Sequence, residues 1–179
     1  EALMAGMAQG YKNATDKAQG YELINLSPAG SLAATGADMA RFMIAHLQKG
    51  AFGEARILAE DTATKMHGTP LTIIPGVNRM VLGFYETDTN GRRIVSHGGD
   101  TQYFHSDLHL FLDEGVGYLI SFNSSGKDGA VGPLREAFYR NFADRYFPGP
   151  AVEGAVDEET AKQHAAQIAG SYISSRRAE

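Results

Sequence analysis

The sequence predicts an α+β domain, a four-strand antiparallel meander flanked by helices. Three observations carry this. Between Met80 and Asn123 the apolar residues follow the period of strands. That stretch is cut by short turn signals, Asn90-Gly91 and Asp113-Glu114-Gly115 among them. On either side, over 35–47 and 131–147, the period lengthens to that of helices. At 179 residues with 43% hydrophobic and 21% charged side chains, the composition is that of a globular chain. Such a length buries roughly 70% of the unfolded surface, enough for one core.

Composition also excludes several function classes. The net charge of −5, with no Lys/Arg cluster, argues against a nucleic-acid partner. There is no cysteine, which removes disulfides and thiolate metal sites. No apolar run has the length of a membrane span. Residues 1–7 lack a charged n-region and a cleavage site, so they are not a signal peptide, and the missing initiator Met leads us to expect a fragment.

Residues 1–30 carry little pattern. Gly10-Tyr11 and Gly20-Tyr21 recur ten residues apart without extending to a repeat, and Tyr21 to Leu26 reads as extended surface chain or a short strand, stopped by Ser27-Pro28-Ala29-Gly30. Thr35 opens the first helix: its hydroxyl at the N-cap and the Asp38 carboxylate three residues on form a variant capping box. Met39, Phe42, Met43 and Leu47 follow at helical spacing, His46 shares their face as a core histidine, and Gly50 is the stop. A shorter helix fits Glu60 to Met66. The strands are expected at Met80–Glu86, Arg92–His97, Phe104–Leu112 and Gly117–Asn123, with apolar residues on both alternating faces, so the sheet needs cover on both sides. A helix over Val131–Phe147, with the stripe Val131, Leu134, Phe138, Phe142 and Tyr146, supplies cover until Pro148-Gly149-Pro150. We expect one domain over 1–150. Residues 151–179 read as a linker, a weak helix from Asp157 to Ile168 and, from Gly170, a strand that opens a truncated accessory domain.

The candidate site is Ile94-Val95-Ser96-His97-Gly98-Gly99-Asp100. β-Branched residues lead into an imidazole followed by two glycines, whose missing Cβ atoms allow close approach to the backbone. An imidazole beside exposed strand amides suits one wall of an acyl-transfer pocket, since it can pass a proton while N–H groups stabilise an oxyanion. The plainer alternative is a turn with a surface histidine. Elsewhere, Ser124-Ser125-Gly126-Lys127 spells Ser-x-x-Lys, but a Gly-rich loop does not hold serine and lysine one helical turn apart. His105, Asp107 and His109 alternate on one strand and face one way, which suits either zinc or a hydrogen-bonded polar face. Arg92-Arg93 and Arg176-Arg177 read as solvated charge.

Taken in order, Pro28-Ala29-Gly30-Ser31-Leu32 through Thr35, Asp38-Met39-Ala40-Arg41-Phe42, Ser96-His97-Gly98-Gly99 and Ser121-Phe122-Asn123 resemble the serine β-lactamase-like hydrolases: class C β-lactamases, D-alanyl-D-alanine peptidases and related esterases. The resemblance covers about residues 28–147. It implies the C-terminal portion of a β-lactamase/transpeptidase-like fold, with His97-Gly98-Gly99 as the third motif, His97 acting at the reacting centre and the Asp100 amide as one oxyanion donor; the catalytic wall is then His97, Gly99 and Asp100. It further implies a small-molecule or peptide substrate, a serine ester intermediate, no cofactor and no metal, and a periplasmic or extracellular setting. The family's Ser-x-x-Lys and Tyr-x-Asn lie N-terminal to the matched region, so Tyr11-Lys12-Asn13 is a coincidental match and the fragment is expected to lack its nucleophile and to self-associate through uncovered apolar surface. The rival expectations are a non-catalytic binding or sensing module and a metal-binding β-domain.

Overall fold

The computed structural model describes residues 4–25, 27–75, 77–150 and 156–171. The chain divides into two compact units, 1–149 and 150–179. In the first, α1 (Gly36–Leu47) is followed by the two-residue strands β1 (Ala51–Phe52) and β2 (Ala55–Arg56), then α2 (Glu60–Gly68). Next come β3 (Tyr85–Glu86), β4 (Ile94–Asp100), β5 (His105–Phe111), β6 (Val116–Phe122) and α3 (Val131–Tyr146). The main sheet runs β3-β4-β5-β6, all neighbours antiparallel. This is the predicted meander.

Local chemistry accounts for the boundaries. Thr35 caps α1 as its spacing predicts: Oγ1 accepts from the Asp38 amide at 3.1 Å and donates to the Asp38 carboxylate at 2.7 Å. Gly50 ends it at φ +91, and a Cβ there would lie 2.2 Å from the Leu58 carbonyl oxygen, so no other residue fits. Asn90 (φ +53) and Gly91 (φ +70) make the tight turn into β4, with the Arg92 amide donating to the Thr89 carbonyl at 2.8 Å.

Alternation splits the sheet into two faces. Val95, Leu108 and Leu110 point to one side and pack with Met43 of α1, Val81 and Phe84. Ile94, Phe111 and Tyr118 point to the other, against Ala143, Tyr139, Phe142 and Phe147 of α3 and its C-terminal flank. Helix α3 therefore lies across one face of the sheet. Its buried face is rotated from the predicted stripe, because Leu134, Phe138 and Tyr146 remain substantially exposed. Polar-tipped residues take their place: the Tyr139 hydroxyl donates to the Thr87 carbonyl, and Arg135 reaches the Ser106 carbonyl at 2.9 Å. A hydropathy stripe does not register side chains that bury their stems and bond through their tips.

The first predicted strand is also shorter than expected. Gly83 (φ +81) turns the chain, the Val81 amide donates to the Phe84 carbonyl at 2.9 Å, and only Tyr85–Glu86 joins the sheet. The described N-terminal residues hold a 3-10 turn at Met4–Gly6 and otherwise mostly irregular chain, which docks on the sheet end with the Tyr11 amide donating to the Asn123 carbonyl at 2.8 Å. In the second unit, α4 (Glu158–Ile168) is capped by Asp157, whose carboxylate accepts from the Thr160 amide at 2.9 Å. The linker at 151–154 and the strand expected from Gly170 lie, but for Gly170 and Ser171, outside the described residues.

Candidate active-site wall

The position of β4 follows from its edges. The Ile94 amide donates to the Asp88 carboxylate at 2.8 Å and its carbonyl accepts from the Thr87 amide at 2.9 Å, so Ile94 turns its polar groups away from β5. Antiparallel alternation then aims the N–H and C=O of Ser96, Gly98 and Asp100 the same way. β3 reaches only Val95 and Ser96. The backbone groups of Gly98 and Asp100 therefore point off the sheet beyond β3, without partners among the described residues.

The side chains divide between the faces. His97 pairs across the sheet with Leu108 and Gly99 with Ser106, on the α1 face. The His97 ring is exposed; it lies 5.5 Å from the Tyr85 ring and enters none of the described hydrogen bonds. Nothing lies within 4 Å of where a Gly99 Cβ would stand, so space beside His97 is open. Ser106 also forms part of an open cleft of about 760 Å³, lined further by Tyr21, Glu22, Leu32, Thr101 and Phe104. Glu22 fixes the rim by accepting from the Gln102 amide at 2.6 Å and the Tyr103 amide at 3.3 Å. Burial would raise its pKa, but bonds from Thr101 and these two amides outweigh that and hold it below the usual value.

Asp100 belongs to both sides of this arrangement. Its amide lies at the free edge, while its side chain is on the α3 face, opposite His105. The carboxylate accepts from His105 Nδ1 at 2.7 Å and from Arg135 Nη2 at 2.9 Å. Burial opposes its ionisation, yet the bonds from His105 and Arg135 prevail and keep its pKa below the ordinary carboxylate value. His105 Nε2 meets Ser125 Oγ at 2.9 Å, and that hydroxyl lies 3.3 Å from the Gln102 carbonyl. Sequence reasoning missed this cluster: its members lie 5 to 35 residues apart, and no short motif links them.

The other candidates have different roles. His105, Asp107 and His109 share a face as predicted, but they do not converge. His109 Nε2 bonds Asp107 at 2.9 Å and its ring stacks on Tyr118 and Tyr139, whereas His105 is committed to Asp100 and Ser125. Among the described residues no group of three or more His, Asp or Glu is arranged to hold a metal. Ser124 Oγ donates to the Lys12 carbonyl at 3.1 Å and accepts from the Gly126 amide at 3.1 Å, so its bonds go to backbone, not to Lys127. Among the described residues no helix is long and apolar enough to cross a membrane.

No curated protein compared with the sequence matches it. The model of the family described as Beta-lactamase matches residues 2–140, most of the chain and all of the sheet. That match agrees with the antiparallel sheet flanked by helices, and it carries hydrolase-type chemistry in general. The chain belongs to the Beta-lactamase family.

Proposed function

We propose that β4 forms one wall of a serine acyl-transfer site in which His97 acts at the reacting centre, Gly99 leaves room for the acyl group and the Asp100 amide donates to the oxyanion. The observation that carries this is the state of His97: an exposed imidazole, outside the hydrogen-bond network, beside open space at Gly99 on a free strand edge. Such a group is available to move a proton, and edge amides need no rearrangement to meet developing charge. The reaction proceeds through a serine ester, with water as final acceptor and no cofactor, on a β-lactam, a D-amino-acid peptide or a simple ester.

On this reading a longer parent protein, of periplasmic or extracellular setting, supplies the nucleophile and its base from outside the described residues. Covalent catalysis needs a nucleophile within hydrogen-bond reach of its base, and Ser124 with Lys127 does not meet that requirement. The 179-residue chain is therefore expected to give no acyl-enzyme with a fluorescent penicillin or a chromogenic ester, whereas the parent does. In the parent, His97→Ala slows turnover by about 10²-fold, as befits the loss of one acid–base group. Labelling of the isolated chain at Ser124 would sink this reading, and an unchanged rate in His97→Ala would leave His97 only its place on the strand.

A further inference from the structure

We propose that Arg135, His105 and Ser125 are positioning residues: they clamp the Asp100 carboxylate and thereby fix the Asp100 backbone N–H at the open edge of β4. This rests on the reading of that N–H as an oxyanion donor. The need for a clamp is visible in the chain. Asp100 ends β4, two glycines precede it, and β3 stops at the level of Ser96, which leaves this end of the strand unpaired on one side. Gly-Gly at an unpaired edge has more conformational freedom than any other dipeptide, and strand ends open locally at little cost. A donor in that position stabilises charge well only if it is already aimed.

Three elements supply the restraint through one carboxylate. From α3, Arg135 Nη2 donates to Oδ1 at 2.9 Å and Oδ2 at 3.1 Å, while Nη1 donates to the Ser106 carbonyl at 2.9 Å. One guanidinium thus ties the end of β4 to β5. From β5, His105 Nδ1 bonds Oδ1 at 2.7 Å, and its ring is held from behind by Ser125 Oγ at 2.9 Å, in the loop after β6. Arg135 and His105 side chains are only 18% and 11% exposed, so water competes poorly for their bonds. The Asp100 side chain is 54% exposed, which makes it the accessible end of a buried clamp.

The glycine pair suits this arrangement on both faces. A Cβ on Gly98 would stand 3.5 Å from the Ser106 carbonyl oxygen, 3.6 Å from Asp107 Oδ1 and 3.8 Å from Arg135 Nη1, so the guanidinium packs directly beside this glycine on the α3 face. Above Gly99, on the His97 face, nothing lies within 4 Å. One glycine lies against the clamp, and the other leaves room for the reacting group.

The test uses ¹⁵N relaxation on the 179-residue chain and turnover of a chromogenic ester by the parent protein. In Arg135→Gln and in the near-isosteric Asp100→Asn, the order parameters of the Gly99 and Asp100 amides should fall from about 0.85 to below about 0.7, with those of Leu108 to Leu110 unchanged. Arg135→Lys, which keeps the charge without the fork, should recover part of the order. In the parent, the same variants should lower kcat about tenfold with KM within about twofold, the signature of a contact made in the transition state. Unchanged order at Gly99 and Asp100 overturns the clamp. Lost order with kcat intact overturns its catalytic purpose. A wild-type parent without acyl transfer fails the reading of the site itself, and the relaxation data then judge the clamp alone.

Discussion

Acidification from pH 7.5 to 5.0 is expected to destabilise the first unit through the pair His46 and His67. His46 of α1 and His67 of α2 are 3% and 7% exposed, and His46 Nδ1 lies 3.1 Å from His67 Nε2, one ring donating and the other accepting. That bond forms with both rings neutral and survives one proton, but a second proton leaves it no acceptor. Phe42 and Phe84 pack edge-on around the pair, at 4.4 to 5.4 Å between centroids. Burial, reinforced by repulsion from His46 and Arg93, pushes the His67 pKa down to about 4, and burial lowers that of His46 as well. The folded state thus resists a proton that the unfolded chain accepts near pH 6.5. Stability is complete above that value, falls as the pH drops below it and levels near pH 4. Linkage for His67 alone gives a ceiling of about 2 kcal/mol between pH 7.5 and 5.0. Phe42 is itself 38% exposed, so water relaxes around an opened pair, and about 1 kcal/mol is the working figure. Urea unfolding should show the midpoint about 0.5 M lower at pH 5.0. The double variant His46→Leu/His67→Leu removes both polar partners together and should erase the pair's share of the loss. Carboxylates held low, such as Glu86 and Asp100, lose their contribution only as pH falls below their ordinary values, and they cancel between the two proteins. An equal midpoint shift in the double variant would refute the argument.

Gly50→Ala should lower stability by more than about 2 kcal/mol, since the new Cβ meets the Leu58 carbonyl at 2.2 Å and φ is +91; calorimetry would show it as a fall in Tm. Thr35→Ala should cost about 1 kcal/mol in urea unfolding through loss of the α1 cap, and Thr35→Ser should restore most of it. Phe111→Ala, which empties a fully buried site between β5 and α3, should cost about 3 to 5 kcal/mol in the same assay. Leu23, Leu32, Leu71 and Ile73 are each more than 60% exposed, so the chain is expected to self-associate; a strict monomer by sedimentation at high concentration would contradict this.

Much of the fold was legible because its signals are local. The Thr35–Asp38 box, the Asn90-Gly91 turn and the alternation through Leu108 and Leu110 each lie within a few residues and each fix one element. Two failures share a cause. Gly83 turned an apolar run that alternation reads as strand, and α3 turned Tyr139 and Arg135 toward the sheet where hydropathy favoured Leu134 and Phe138. In both cases a backbone conformation or a hydrogen bond decided the outcome, and neither leaves a mark in apolar spacing. The edge strand at His97 was legible from its glycines, but the hold on Asp100 was not, because Arg135 reaches it from 35 residues away.

Hydrogen bonding separates the histidines of the first unit by role. Among the described residues, His46 and His67 bond each other, His105 lies between Asp100 and Ser125, and His109 bonds Asp107 between two tyrosine rings. All four are buried. A buried imidazole without partners would be costly, so these bonds are what burial requires and need no catalytic purpose. They also weigh against a metal at His105, Asp107 and His109, since binding would have to break the Asp100–His105–Ser125 chain and the Asp107–His109 bond at once. His97 is the exception. It stands exposed on the α1 face with only a ring contact to Tyr85, next to the residue whose missing side chain leaves the strand open. A surface imidazole costs nothing to leave unbonded, so exposure alone would carry no functional meaning. What distinguishes His97 is the strand end it shares with the Asp100 amide, three positions away and held through a carboxylate that His105 and Arg135 restrain. On the proposed reading, an exposed imidazole able to pass a proton beside an aimed N–H is the division of labour that acyl transfer needs at one wall of its site.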